Sequence, residues 1–229
     1  MTVPEQLPLA LRLRPASSLD SFVAGDNAAL LAALSTAPLS PGPWFLWGEP
    51  GVGRTHLLEG CVRAHAAAAC LLPASELAGL SPAVLDGLEQ YPVLAIDDID
   101  VLAGQRQWEE GLFHLYNRQR EAGGALLFSA AAPPAECGFG LPDLVSRLAA
   151  GGVWRVRPLE DAGLVALVQG RGQAMGLEVS DEVARYLVSR STRSAPALVA
   201  LLEQLDRLAL SRQRRLTVPF IRGLGLTKL

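Results

Sequence analysis

Hydrophobic positions along the chain form short continuous runs separated by stretches of helical spacing. Trp44-Phe45-Leu46-Trp47 follows the proline-rich turn 38–43 and reads as a buried strand. Residues from about 53 to 69 lack proline and put Leu57, Leu58, Cys61 and Val62 near one helical face. Cys70-Leu71-Leu72, Val93-Leu94-Ala95-Ile96, Leu126-Leu127-Phe128 and Val153-Trp154-Arg155-Val156 are further strand candidates. Between the third and fourth, Leu112, Leu115 and Tyr116 sit at helical spacing until Gly123-Gly124 stops the pattern. About five strands alternating with helices predict an α/β fold with a parallel sheet covered on both faces.

After Pro158 the strands cease. Leu164-Leu167-Val168, Val183-Tyr186-Leu187 and Leu198-Leu201-Leu202-Leu205 are helical patterns in succession, so a small all-helical domain is expected over 158–229. The α/β domain then spans 13–157, preceded by an extended peptide, 1–12.

Composition narrows the class. The chain has 229 residues, half of them hydrophobic, enough to bury a full core and too apolar for disorder. A net charge of −3 sets up no overall attraction to nucleic acid or anionic membrane. The apolar run 64–72 is far shorter than the roughly 18 residues a membrane span requires. The N-terminus lacks a basic region and carries Glu5, unlike a secretory signal. Cys61, Cys70 and Cys137 form no CxxC pair, which fits reduced thiols in a cytoplasm. His56, His65 and His114 have no metal-ligand spacing and read as helix-surface or core residues.

The strongest chemical signal is Gly48-Glu49-Pro50-Gly51-Val52-Gly53-Arg54-Thr55, with the spacing of the phosphate-binding loop GxxxxGK[ST] and arginine in place of lysine. Glycines there let backbone amides approach phosphate oxygens, and the loop runs into a helix N-terminus that attracts an anion. Thr55 would offer a hydroxyl to Mg²⁺. Arg54 is bulkier and planar, so the swap is not conservative, and diphosphate binding survives it more easily than hydrolysis does. The second half is the apolar strand ending in Asp97-Asp98, which puts a carboxylate at the strand's C-terminal edge. Asp97 would orient Mg²⁺, directly or through water. Asp98 holds the place where many such ATPases carry a water-polarising glutamate.

Several segments then resemble one family. Phe22-Val23-Ala24-Gly25-Asp26-Asn27 resembles the FVxGxxN segment of the DnaA-like AAA+ ATPases. Asp97-Asp98-Ile99, Phe113-His114-Leu115-Tyr116-Asn117, Pro133-Pro134 and the run 141–148 follow the family's order. The initiator's N-terminal interaction region and C-terminal DNA-binding domain have no counterpart, and the closer resemblance is to the Hda branch of DnaA-related regulatory inactivators. Trp108-Glu109, Leu205-Asp206-Arg207 and Leu216-Thr217-Val218-Pro219-Phe220 look closer to that branch too. Gln6-Leu7-Pro8-Leu9-Ala10-Leu11 resembles the short peptide by which bacterial proteins dock on the replicative sliding clamp. Gln6 can hydrogen-bond at a groove mouth while Leu7, Leu9 and Leu11 offer apolar anchors.

The resemblance implies an AAA+ module with a helical lid, a cytoplasmic setting, and a nucleotide site formed by Val23, Gly48, Pro50, Gly51, Val52, Gly53, Arg54 and Thr55. ADP is the implied nucleotide, with Mg²⁺ on Thr55 and Asp97. It also makes Arg147 an arginine finger acting in trans on a neighbouring subunit. The plainer alternative is a surface arginine paired with Asp143, four residues earlier. Implied partners are the sliding clamp and DnaA, with DNA contacted only through them and room for a homodimer. Departures cluster around the γ-phosphate. Ser129-Ala130-Ala131-Ala132-Pro133-Pro134 replaces a T-x-D-R-P-P type run, leaving Ser129 as its only polar group. Pro196 stands where a lid arginine should reach phosphate, with Arg193 nearby as a substitute. Little intrinsic ATPase activity is therefore expected. Two other readings stay open: a self-hydrolysing AAA+ ATPase of helicase-loader or clamp-loader type, and a nucleotide-free adaptor.

Overall fold

The computed structural model describes residues 17–65, 69–77, 79–211 and 214–224. The strands β1 (Gly42–Trp47), β2 (Ala69–Pro73), β3 (Val93–Asp97), β4 (Ala125–Ala130) and β5 (Gly152–Arg155) form one sheet in the order β2-β3-β4-β1-β5. Every pairing is parallel. Successive side chains on a strand point to opposite faces, and here both faces are covered. Phe45, Leu94, Ile96, Leu126 and Phe128 enter one core, while Leu46, Ala95 and Leu127 enter the other.

Helices α1 (Ala28–Leu34) and α2 (Arg54–Ala64) cover the second face through Leu30, Leu34, Leu57, Leu58, Cys61 and Val62. The short α3 (Ala74–Leu77), then α4 (Arg106–Glu121) and α5 (Pro142–Leu148), cover the first. Helix α4 ends where expected: Gly123 takes a φ of +73° and the amides of Ala122, Gly123 and Gly124 close on carbonyls of the last turn. Helix α2 is shorter than its spacing predicts. Its C-cap is His65, and Ala69 is already paired with Val93 in the sheet. Strand pairing overrides the helical preference of an alanine run.

The remaining helices, α6 (Asp161–Ala174), α7 (Asp181–Arg190), α8 (Ala195–Ser211) and α9 (Val218–Gly223), enclose a third core built on Leu164, Val168, Leu187, Leu198, Leu202 and Leu205. Ser180 and Thr217 cap α7 and α9, each hydroxyl accepting a backbone N–H of the first turn. At the junction between the two parts, Asn27 is buried and bonds twice to one residue. Its Oδ1 accepts the Arg157 N–H at 2.7 Å, and its Nδ2 donates to the Arg157 carbonyl at 3.0 Å. The segment before α1 is thereby clasped to the end of the sheet domain.

Phe128 is fully buried, its ring centroid 6.4 Å from that of Phe45. Phe128→Ala should cost about 3–5 kcal/mol. Urea unfolding at constant m-value measures it, and a loss under about 1 kcal/mol would contradict this packing.

Candidate functional site

The loop 48–53 joins β1 to α2, and its glycines permit close approaches. Gly51 and Gly53 have φ of +87° and +102°, a region that side-chain-bearing residues avoid. A Cβ at Gly48 would lie 2.5 Å from the Val156 carbonyl oxygen. One at Gly51 would lie 3.0 Å from Pro196 of α8, and one at Gly53 would lie 2.8 Å from the Phe22 ring. The loop therefore touches the end of the sheet, the helical domain and the segment 22–27 at once. Pro50 is exposed, while Val52 and Val23 are half-buried, Val23 beside the Phe22 that faces Gly53.

Strand order explains the polar cluster beneath the loop. Strand β4 lies between β1, which feeds the loop, and β3, which ends in Asp97, so the end of β4 meets Asp97. Ser129 donates a short hydrogen bond to Asp97 Oδ1 and accepts the Asp98 N–H at 2.8 Å. Thr55 donates to the other oxygen, Asp97 Oδ2, at 2.7 Å. The Thr55 hydroxyl and the Asp97 carboxylate are adjacent hard oxygen donors, the pair suited to hold Mg²⁺ beside a phosphate. Ser129, expected only as a remnant near the γ-phosphate, instead orders Asp97.

Arg54 is turned onto protein. Its Nη2 lies 3.0 Å from Asp98 Oδ1, the arginine only 9% exposed and the carboxylate half-exposed. Its Nη1 is buried and finds no hydrogen-bond partner among the described residues. Asp98 takes a left-handed conformation, φ 52° and ψ 51°, uncommon for a residue other than glycine. Burial, and then the neighbouring Asp97 carboxylate, pushes the Asp98 carboxyl above its ordinary value, with Arg54 opposing. An aspartate engaged by Arg54 differs from the water-polarising group its position suggested.

Arg147 makes its contacts with α4. It lies on the last turn of α5, its guanidinium 4.5 Å from the Phe113 ring centroid and 5.3 Å from that of Tyr116. Its Nε is buried without a partner, and no ion pair to Asp143 occurs among the described residues. Stacking on aromatic faces replaces the simple i, i+4 pair. Sequence reasoning assigned no role to Glu109. Its buried carboxylate accepts the N–H groups of Gly104 (2.8 Å), Gly140 (3.0 Å) and Leu141 (2.7 Å). Leu141 is the N-cap of α5 and has no capping side chain of its own, so α4 supplies the cap. A glutamate in the first turn of a helix usually reads as a partner of that helix's own dipole, which hides such a role.

Other expected residues fall away from the site or outside it. Arg193 is exposed and paired with Asp161 at 3.4 Å. Pro196 packs on Gly51, as a residue on the first turn of α8 without a polar group. Gln6, Leu7, Leu9 and Leu11 lie outside the described residues. His56 bonds the Ser18 carbonyl at 2.9 Å, and His65 bonds that of Cys61 at 2.9 Å. The three cysteines are unpaired, and burial pushes the Cys61 thiol up to about 12 and that of Cys137 to about 11. Among the described residues, no cluster of three His, Cys, Asp or Glu could hold a metal, and no helix is long and apolar enough to cross a membrane.

A five-stranded parallel sheet with this loop, this strand end and an appended helical domain is the AAA+ fold. It is similar to domain III of the Thermotoga maritima replication initiation protein DnaA at 21% identity and a TM-score of 0.80, covering 91% of this chain and 95% of that one. It is similar also to AMPPCP-bound DnaA from Aquifex aeolicus, with 21% identity and a TM-score of 0.68, covering 83% and 66%. The Thermotoga maritima RuvB Holliday junction branch migration motor matches at 23% identity and a TM-score of 0.70, covering 92% and 71%. Residues 161–224 match the family described as Hda, lid domain. The chain thus has the AAA+ fold of these structures, and its helical domain matches the Hda lid-domain family.

Ser129 is fully buried, and its hydroxyl serves Asp97 and Asp98 together. Ser129→Ala should cost about 1–3 kcal/mol, because an amide and a carboxylate oxygen lose their partner. Thermal unfolding measures this, and an unchanged midpoint would contradict the network.

Proposed function

We propose that the chain is a DnaA-related regulator of replication initiation, tethered to the sliding clamp by residues 6–11, that stimulates ATP hydrolysis by DnaA in trans. The observation that carries the reading is an Hda-type lid on the same chain as an arginine mounted on two packed helices. Arg147 sits at the C-terminal end of α5, its guanidinium stacked on Phe113 and Tyr116 and incompletely hydrogen-bonded. In this reading the Arg147 guanidinium reaches the γ-phosphate held by DnaA, where spread negative charge develops during hydrolysis. The outcome is DnaA in its ADP form.

Its own pocket is proposed to hold ADP, with Mg²⁺ on Thr55 and Asp97. The loop amides and glycine geometry support phosphate binding, and one of the solved neighbours is described as bound to AMPPCP. The Arg54–Asp98 ion pair and the apolar Pro196 count against autonomous hydrolysis. This chain would act on another protein's active site rather than turn over nucleotide itself.

The deciding assay contains clamp-loaded DNA, ATP-bound DnaA and this protein. Arg147→Ala should reduce stimulated hydrolysis about 10³-fold or more while clamp binding persists, as loss of a trans-acting arginine does elsewhere. Arg147→Lys should fail nearly as badly, since a point charge does not reproduce the guanidinium fork. Full stimulation by the alanine variant would overturn the proposal. The tether is tested separately: replacing Gln6 and Leu7 together with alanine should abolish clamp binding with the unfolding midpoint unchanged. Wild-type clamp affinity in that variant would make the N-terminal motif a coincidence.

A further inference from the structure

In a phosphate-binding loop, the side chain at Arg54's position meets the β- and γ-phosphates. In this chain that charge is already engaged. One guanidinium nitrogen, Nη2, is 3.0 Å from Asp98 Oδ1, and the other, Nη1, is buried and unpartnered. The first is matched to an anion supplied by the protein. The second is a desolvated donor lacking one, which is costly unless an acceptor arrives.

Asp98 is not a loose surface carboxylate that met Arg54 by chance. Its left-handed backbone is held on both sides: its N–H donates to buried Ser129 at 2.8 Å, and its carbonyl accepts the Val101 N–H at 3.1 Å. A strained conformation persists where surrounding bonds over-determine it. Asp97 cannot take its place, since both Asp97 oxygens are occupied by Thr55 and Ser129.

We infer that Asp98 is the specificity-determining residue of the pocket, its carboxylate standing in for a terminal phosphate on Arg54 Nη2 while Nη1 is left without an acceptor. A diphosphate satisfies the free Nη1. A triphosphate brings additional negative charge towards a carboxylate already seated on the same arginine, and like charges repel. The inference rests on the reading of residues 48–55 as a nucleotide site.

Titration calorimetry of the full chain with ADP and with AMPPCP, in Mg²⁺, tests it. The wild type should prefer ADP. Asp98→Asn should lower the ADP-over-AMPPCP ratio about tenfold or more, and asparagine tolerates the left-handed backbone, so the fold is kept. Asp98→Glu keeps the charge and should hold most of the preference. Asp100→Asn is the control for general loss of negative charge. Asp100 bonds the Ala131 N–H at 3.1 Å and makes no ion pair with Arg54, so the ratio should move less than about threefold. An unchanged ratio in Asp98→Asn, or an equal shift in Asp100→Asn, overturns the inference while the diphosphate reading stands. A wild type that prefers AMPPCP, or binds neither ligand, overturns that reading itself and this inference with it.

Discussion

Three missing side chains hold the molecule's organisation together. Gly48, Gly51 and Gly53 let one short loop lie against the Val156 carbonyl, the Pro196 ring and the Phe22 ring. Each neighbour comes from a different part of the chain: the exit of the sheet, the first turn of the lid's longest helix, and the segment before α1. A β-carbon at any of the three would press on its neighbour at 3.0 Å or less. Close packing of this kind transmits displacement, because interiors yield little. A shift of the loop is therefore felt at the first turn of the lid helix as well.

Beneath the loop, the polar groups form a relay rather than a set of independent ligands. Thr55 belongs to α2, Asp97 to β3 and Ser129 to β4, and one carboxylate links all three. Buried polar networks that are fully satisfied specify a single arrangement. Here satisfaction stops at Arg54 Nη1, which is buried and has no partner among the described residues. The same residues thus stabilise the fold on one side and leave a single electrostatic demand on the other.

Much of the fold was legible in the chain. The five apolar runs are the five strands: β3 and β4, buried throughout, read as continuous hydrophobic segments, while β5 at the sheet edge leaves Val153 and Arg155 exposed. Helix α2 was overextended, since an alanine run carries no signal of the strand pairing that claims Ala69. The loop and Asp97 stood out because their spacing is itself the chemistry. Strand order is not written in local pattern, so the lodging of Ser129 against Asp97 could not be read. Nor could the Arg54–Asp98 pair, which depends on a left-handed residue with no glycine to announce it. Glu109 was hidden for a similar reason. Its partners Gly140 and Leu141 are 31 and 32 residues away, beyond any periodicity.

The Glu109 carboxylate also changes what kind of object carries Arg147. A seven-residue helix is too short to hold its own shape in water. Helix α5 is capped at one end by a side chain from α4 and gripped near the other by two aromatic rings from α4. Mechanically it is a passenger, and the sixteen-residue α4 is the beam it rides on. The guanidinium of Arg147 is therefore positioned by a helix on which it does not lie.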